Sequence, residues 1–123
     1  MASENKGFKR IILAAKYSWQ GFTTAYRKEE AFRQEAWFAV FAIPLGFFLG
    51  QTGVERALLV GVILLVLIVE LLNTGIENAV DRVGLDPHKL SGRAKDMGSA
   101  AVFTSLGLAA LVWISILWPI YVH

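Results

Sequence analysis

The sequence predicts an all-α membrane protein, with an amphipathic surface helix at the N-terminus followed by three transmembrane helices. Of the 123 residues, 55% are hydrophobic, the mean hydropathy is positive, and three long stretches are nearly free of charge. Each stretch is long enough to cross about 30 Å of hydrocarbon. These stretches are residues 36–54, 57–76 and 97–122. We predict a single domain over 1–123, with the surface helix at 7–28 and the spans at 30–50, 55–82 and 93–121.

The surface helix is predicted from the spacing of apolar side chains before the first span. Apolar residues recur every three or four positions, while basic and small polar residues fill the other side of the helix. A helix with one apolar and one basic side suits the inner headgroup layer of a membrane. The apolar residues are Phe8, Ile11, Ile12, Ala15, Trp19, Phe22 and Tyr26.

The three spans differ in the polar residues that they carry. The first is rich in phenylalanine and contains Pro44, which predicts a kink. The second is interrupted by one carboxylate, Glu70. The third begins next to Lys95 and Asp96 and is otherwise almost wholly apolar.

The placement of lysine and arginine predicts how the spans are oriented. Seven of the twelve basic residues precede the first charge-poor stretch, 36–54, and four lie between the second, 57–76, and the third, 97–122. The positive-inside rule then places the N-terminus and the loop between spans two and three in the cytoplasm. The turn between spans one and two, and the C-terminus, face the other side.

Cysteine content and net charge exclude several classes of function. The chain has no cysteine, which excludes disulfides and thiolate metal sites. A formal net charge of +2 is too small to predict binding of nucleic acid. The Walker A and G-x-G-x-x-G patterns of common nucleotide-binding loops do not occur.

Glu70 is the strongest indication of function. A carboxylate at membrane depth is energetically costly and is usually kept because it has a role. Asn73 and Glu77 follow at spacings of three and seven, which places all three side chains on one face of a helix. At 1.5 Å per residue, Glu70 would lie roughly 10 Å below the cytoplasmic interface, where a lipid hydroxyl can reach it.

Further polar side chains are predicted at the same interface, just before the first span or at the start of the third: Glu29, Gln34, Glu35, Lys95, Asp96 and Ser99. Carboxylates such as Glu29 and Glu77 can bind Mg²⁺ together with phosphate oxygens. A carboxylate in low dielectric, such as Glu70, suits a general base for an alcohol. These are the groups that phosphoryl transfer requires. Taken singly, residues such as Glu29, Glu35 and Asp96 are more often solvated interfacial charges.

Two segments of the chain resemble the small integral-membrane diacylglycerol kinases of Gram-negative bacteria. They read ELLNTGIENAVDR at 70–82 and LSGRAKDMGSAAV at 90–102. The N-terminal Gly7-Phe8-x-Arg10, Tyr17-Ser-Trp19 and the AFRQE segment at 31–35 agree as well. The resemblance covers essentially the whole chain, although Gram-positive undecaprenol kinases share part of these signatures.

The resemblance implies transfer of the γ-phosphate of Mg-ATP to diacylglycerol, which gives phosphatidic acid at the bacterial inner membrane. It also implies a homotrimer whose active sites are shared between neighbouring chains. By position, Glu70 is the general base, and Glu29 and Glu77 hold the metal ions. The residues that match nucleotide-contacting positions are Arg10, Tyr17, Glu29, Glu77, Asp86, His88, Lys95 and Asp96. Those that match positions near the lipid headgroup are Trp19, Gln34, Glu35, Glu70, Asn73 and Ser99.

Two alternatives remain open from the sequence. One is a kinase that uses the same machinery on undecaprenol or another lipid alcohol. The other is a small proton-coupled transporter built around the deep carboxylate Glu70. The transporter hypothesis leaves the clustering of Glu29, Glu77 and Lys95 unexplained.

Overall fold

The computed structural model describes residues 2–84 and 88–122, with side chains from residue 6 onwards. The described residues form four α-helices and contain no strand, which confirms the prediction of an all-helical chain for this part of the sequence. The helices are α1 (Ala2–Lys28), α2 (Glu30–Leu49), α3 (Gly53–Val83) and α4 (Lys89–Tyr121).

The helices α3 and α4 are each long and apolar enough to cross a membrane. The same criterion does not select α2, because charged residues occupy its first two turns. These are Glu30, Arg33 and Glu35. The apolar remainder of α2, residues 36–49, is about 21 Å long at 1.5 Å per residue. The first predicted span is therefore the shortest in its apolar part.

Helix α3 lies at the centre of the bundle and packs against both α2 and α4. The buried residues at these contacts are mostly small or β-branched, which lets helix backbones approach one another closely. They are Ala39, Ala42, Leu59, Val62, Ile63, Val66 and Ala109. The central position of α3 places its polar residues next to both neighbouring helices.

Trp113 connects α4 to α3. Its indole Nε1 donates a hydrogen bond to the backbone carbonyl of Leu59, with an N···O distance of 3.0 Å. Gly46 of α2 packs beside this pair, since a Cβ at Gly46 would lie 3.1 Å from both the Leu59 Cβ and the Trp113 ring. The hydroxyl of Tyr121 donates to the Leu49 carbonyl at 2.9 Å and joins the ends of α4 and α2. These contacts fix the three helices at the end remote from α1.

Replacing Trp113 by phenylalanine should destabilise this end of the bundle. Trp113→Phe removes one interhelical hydrogen bond and leaves a smaller ring, so we expect the free energy of unfolding to fall by about 1 kcal/mol. Thermal unfolding of the detergent-solubilised protein measures this change. The control is Trp118→Phe, because Trp118 is exposed on the same helix. Equal stability of the two variants would contradict the assignment.

Helix α1 makes few contacts with the rest of the chain, chiefly with the beginning of α2. The hydroxyl of Tyr26 accepts a hydrogen bond from Nε1 of Trp37 at 2.9 Å. The guanidinium of Arg33 donates to the backbone carbonyls of Tyr26 and Arg27 at 3.0 and 3.4 Å. Since the last carbonyls of a helix have no partner within it, Arg33 caps the C-terminus of α1. Glu29, in extended conformation, is thereby held between the two helices.

Large apolar side chains cover much of the outer surface of α2, α3 and α4. A continuous apolar surface of this kind is rare on monomeric soluble proteins. Lipid and neighbouring protein chains are the surroundings that suit it. The most exposed side chains include Phe41, Phe48, Leu72, Phe103 and Leu111.

Candidate active site

Glu70 is the one charged side chain that is buried within the described residues, with 5% of its surface exposed. It follows Ile63 and Val66 on the side of α3 that faces the other helices, at spacings of seven and four. The apolar core of the bundle therefore ends at a carboxylate. Such a group is usually functional when it lies within a membrane-spanning segment.

Asn73 and Glu77 extend the polar stripe from Glu70 toward the C-terminal end of α3. The amide Nδ2 of Asn73 donates to Oε1 of Glu77 at 3.2 Å. The amide Oδ1 of Asn73 is buried and accepts no hydrogen bond among the described residues. Asn73 thus lies between Glu70 and the half-buried Glu77 along this face and forms a hydrogen bond with Glu77.

Glu29 and Glu35 bring two further negative charges toward Glu70. Glu29 lies between α1 and α2, Glu35 lies one and a half turns into α2, and both are half-buried. Glu77 lies on the same face of α3 as Glu70, and Glu29 and Glu35 flank the start of α2, which packs against α3. Four carboxylates in one region are unfavourable unless a proton or a cation compensates their charge. The region is therefore suited to attract a cation.

The described part of the chain does not form a complete metal site by itself. No group of three acidic or histidine side chains within it converges closely enough to hold an ion. Mg²⁺ usually takes only one or two protein carboxylates and completes its shell with phosphate oxygens and water. Glu29 and Glu77 are compatible with this requirement, because both carry hard carboxylate oxygens and both are partly accessible.

Lys95 brings a positive charge from α4 to the same end of α3. Its Nζ lies 2.8 Å from Oδ1 of Asp81, and both side chains are nearly half exposed. An ion pair of this exposure contributes little to stability. Lys95 can therefore exchange Asp81 for a phosphate group at small cost. Sequence reasoning did not identify Asp81 as the partner, because the pairing depends on how α3 and α4 pack.

Trp19 lines an open groove of about 960 Å³ between α1 and α2. The other walls are almost wholly apolar, apart from Thr23 and Arg27. A groove of this composition suits an acyl chain better than a nucleotide. Its apolar lining includes Phe22, Phe32, Val40, Ile43 and Leu67.

Several predicted site residues are exposed in the single chain rather than buried around Glu70. They are Arg10, Tyr17, Gln34, His88, Asp96 and Ser99. His88 also has a structural role, since its Nδ1 accepts the backbone N–H of Leu90 and caps the start of α4. Asp86, predicted at a nucleotide-contacting position, lies outside the described residues.

Gly98 of α4 is a further residue at the site, which sequence reasoning did not single out. A Cβ at Gly98 would overlap Oδ1 of Asn73, so the two helices approach closely at this point. The run of small residues at 98–101 indicates a close helix contact. The run does not show which residue of α3 is the partner.

The chain is similar to proteins of one family over nearly its whole length. The family model described as prokaryotic diacylglycerol kinase matches residues 16–117. The diacylglycerol kinase of Escherichia coli (strain K12) is 48% identical over 118 residues, which cover 96% of this chain and 97% of the relative. That of Pseudomonas aeruginosa is 52% identical over 111 residues, or 90% of each chain. That of Helicobacter pylori (strain 26695) is 41% identical over 116 residues, or 94% and 91%.

Proposed function

This chain belongs to the prokaryotic diacylglycerol kinase family. We propose that Glu70, buried near the carboxylates of Glu29, Glu35 and Glu77, activates the hydroxyl of the lipid substrate. The chain is a lipid kinase that makes phosphatidic acid by ATP-dependent phosphoryl transfer, a reaction of phospholipid metabolism. The observation that carries the proposal is the position of Glu70, at the end of the apolar core and next to Asn73 and Glu77.

Glu70 acts as the general base in this proposal. It accepts the proton of the diacylglycerol hydroxyl while the hydroxyl oxygen forms a bond to the γ-phosphorus of ATP. The bond between that phosphorus and the oxygen bridging the β- and γ-phosphates breaks, and ADP leaves. A well-placed base of this kind contributes about 10²- to 10⁴-fold to the rate. The core residues next to Glu70 exclude water, so the lipid hydroxyl is the favoured acceptor.

Glu29 and Glu77 are the proposed ligands of the Mg²⁺ that accompanies ATP. When bound, this ion offsets the negative charge on the phosphates. Asn73 orients the Glu77 carboxylate through the hydrogen bond from its Nδ2. Lys95 leaves Asp81 and contacts the phosphates, where its charge serves the same purpose. The remaining proposed nucleotide contacts are Arg10, Tyr17, Asp86, His88 and Asp96.

The lipid substrate is proposed to enter from the groove between α1 and α2. Trp19 lines this groove, and its apolar walls suit the acyl chains. The headgroup hydroxyl can then approach Glu70 from the membrane side. The other residues proposed near the headgroup are Gln34, Glu35, Asn73 and Ser99.

A homotrimer with shared active sites is the proposed assembly. Asp96 and Ser99 are exposed in the single chain near the polar start of α4, although both are proposed to contact a substrate. The large apolar side chains on the outer surface of α2, α3 and α4 suit packing against neighbouring chains. A neighbouring chain packed over this surface would cover these groups and complete the nucleotide site.

The proposed location is the bacterial inner membrane, with α1 as the surface helix and α2, α3 and α4 as the spans. The N-terminus and the α3–α4 loop are cytoplasmic, and the C-terminus is periplasmic. The exposed apolar residues of α1 and the two apolar helices α3 and α4 support the membrane location, and the distribution of lysine and arginine supports the orientation.

This topology predicts that position 93 is reached from the cytoplasm alone. Arg93→Cys introduces a single thiol into a chain that has none. We expect a membrane-impermeant thiol reagent to label it in inverted vesicles and to leave it unlabelled in intact spheroplasts. A matched Thr52→Cys variant, in the α2–α3 turn, should give the opposite pattern. Labelling of position 93 from outside would contradict the orientation.

The acceptor lipid is tested by offering diacylglycerol and undecaprenol together in mixed micelles with γ-labelled ATP. The three relatives named above are diacylglycerol kinases, which favours diacylglycerol as the acceptor. We therefore expect the label in phosphatidic acid. Label mainly in undecaprenyl phosphate would keep the mechanism and change the substrate.

A further inference from the structure

We infer that Gly98 is a positioning residue, which fixes the Asn73 amide so that its nitrogen faces Glu77. The inference rests on the proposed function, in which Glu77 holds the metal ion of Mg-ATP. It extends that function by adding a residue of α4 that touches neither substrate nor metal. Three observations carry it: a buried amide oxygen, a glycine at a close helix contact, and one hydrogen bond to Glu77.

The first observation is the surroundings of the Asn73 oxygen. This Oδ1 is buried and has no conventional hydrogen-bond donor within the described residues. Burying a carbonyl oxygen without a hydrogen-bond donor is energetically unfavourable, so the group that packs against this oxygen matters. Gly98 approaches this oxygen closely, because a Cβ built at Gly98 would overlap it.

The second observation is the geometry of that approach. The hydrogen that Gly98 carries in place of a Cβ points at Oδ1 of Asn73. This is the arrangement of a weak Cα–H···O contact, which recurs at close helix–helix interfaces. Among the described glycines of α4, Gly92 and Gly107 leave open space where a Cβ would be, and Gly98 alone does not. Glycine at position 98 is therefore required by Asn73 and not by the helix in general.

The third observation is what the Asn73 amide does on its other side. Its Nδ2 donates to Oε1 of Glu77 at 3.2 Å. If the amide were reversed, its oxygen would face the Glu77 carboxylate and repel it. The Cα–H of Gly98 contacts the amide oxygen on one side and thereby keeps the nitrogen toward Glu77. Partners that orient a metal ligand commonly affect metal affinity by 10- to 100-fold.

The variant that tests this inference is Gly98→Ala. The added methyl group occupies the place of the Asn73 oxygen, so the amide must rotate and Glu77 loses its hydrogen bond. We expect the Mg²⁺ concentration at half-saturation to rise about tenfold for binding of a non-hydrolysable ATP analogue. Equilibrium binding of the analogue is measured across a Mg²⁺ titration, which needs no turnover. The control is Gly107→Ala, which should leave the titration unchanged.

A double-mutant comparison separates this role from a general displacement of α4. In an Asn73→Ala background the amide is absent, so Gly98→Ala should change the Mg²⁺ requirement by less than about twofold. The same shift in both backgrounds would overturn the inference, as would an unchanged titration for Gly98→Ala alone. The proposed function fails separately, if the unmodified protein binds the analogue without any dependence on Mg²⁺.

Discussion

Glu70→Gln should abolish most of the turnover while leaving nucleotide binding intact. Glutamine has nearly the shape of glutamate but cannot accept the hydroxyl proton, so we expect kcat to fall by about 10²- to 10⁴-fold. The KM for ATP should change little, because the proposed metal ligands Glu29 and Glu77 remain. Loss of kcat with an unchanged KM is the signature of an interaction made in the transition state. Steady-state kinetics in mixed micelles measures both parameters.

The matched control for Glu70→Gln is Glu55→Gln. Glu55 lies in the first turn of α3, at the opposite end from Asn73, and accepts the backbone N–H of Gln51. The Glu55→Gln substitution changes the charge of α3 by the same amount as Glu70→Gln. We expect it to retain nearly full turnover. If Glu70→Gln also keeps most of its turnover, Glu70 is not the base.

Removal of the proposed metal ligands should change the dependence on Mg²⁺. In Glu29→Gln and in Glu77→Gln, one proposed carboxylate ligand is replaced by a neutral amide group. We expect the Mg²⁺ concentration for half-maximal activity to rise on the order of tenfold or more in each variant. At saturating Mg²⁺, part of the lost activity should return, which distinguishes a weakened metal site from a missing base. Activity measured across a Mg²⁺ titration tests both expectations.

Glu30→Gln is the control for the metal ligands. Glu30 is adjacent to Glu29 but is exposed, and its carboxylate accepts a hydrogen bond from Gln34 at 3.5 Å. The Glu30→Gln substitution removes one negative charge from the same region and leaves both proposed metal ligands in place. Its Mg²⁺ titration should match that of the unmodified protein. A shift as large as that of Glu29→Gln would mean that net charge, and not ligation, sets the Mg²⁺ requirement.

Much of the fold and of the stripe on α3 could be predicted from the sequence, because both depend on spacing along one helix. The positions of Glu70, Asn73 and Glu77 determine a common face whatever the surrounding packing is. The all-helical structure follows equally from long apolar stretches and from the periodicity before the first span. In α2 the early charges Arg33 and Glu35 leave the apolar length at the margin for a span.

Contacts between helices could not be predicted in this way. The hydrogen bond from Trp37 to Tyr26, the ion pair of Lys95 with Asp81, and the contact of Gly98 with Asn73 all depend on the rotation and axial shift of one helix against another. Sequence spacing carries no information about those two quantities.

The most direct test of Glu70 as the general base is a single-turnover measurement of the transfer step. The protein is loaded with diacylglycerol and γ-labelled ATP, the reaction is started with Mg²⁺, and label in phosphatidic acid is followed by rapid quenching. In Glu70→Gln, the rate constant of phosphoryl transfer should fall by the same factor as kcat. The nucleotide site should still be fully occupied by ATP. Transfer at the unmodified rate, followed by slow product release, would contradict the assignment of Glu70 as the base.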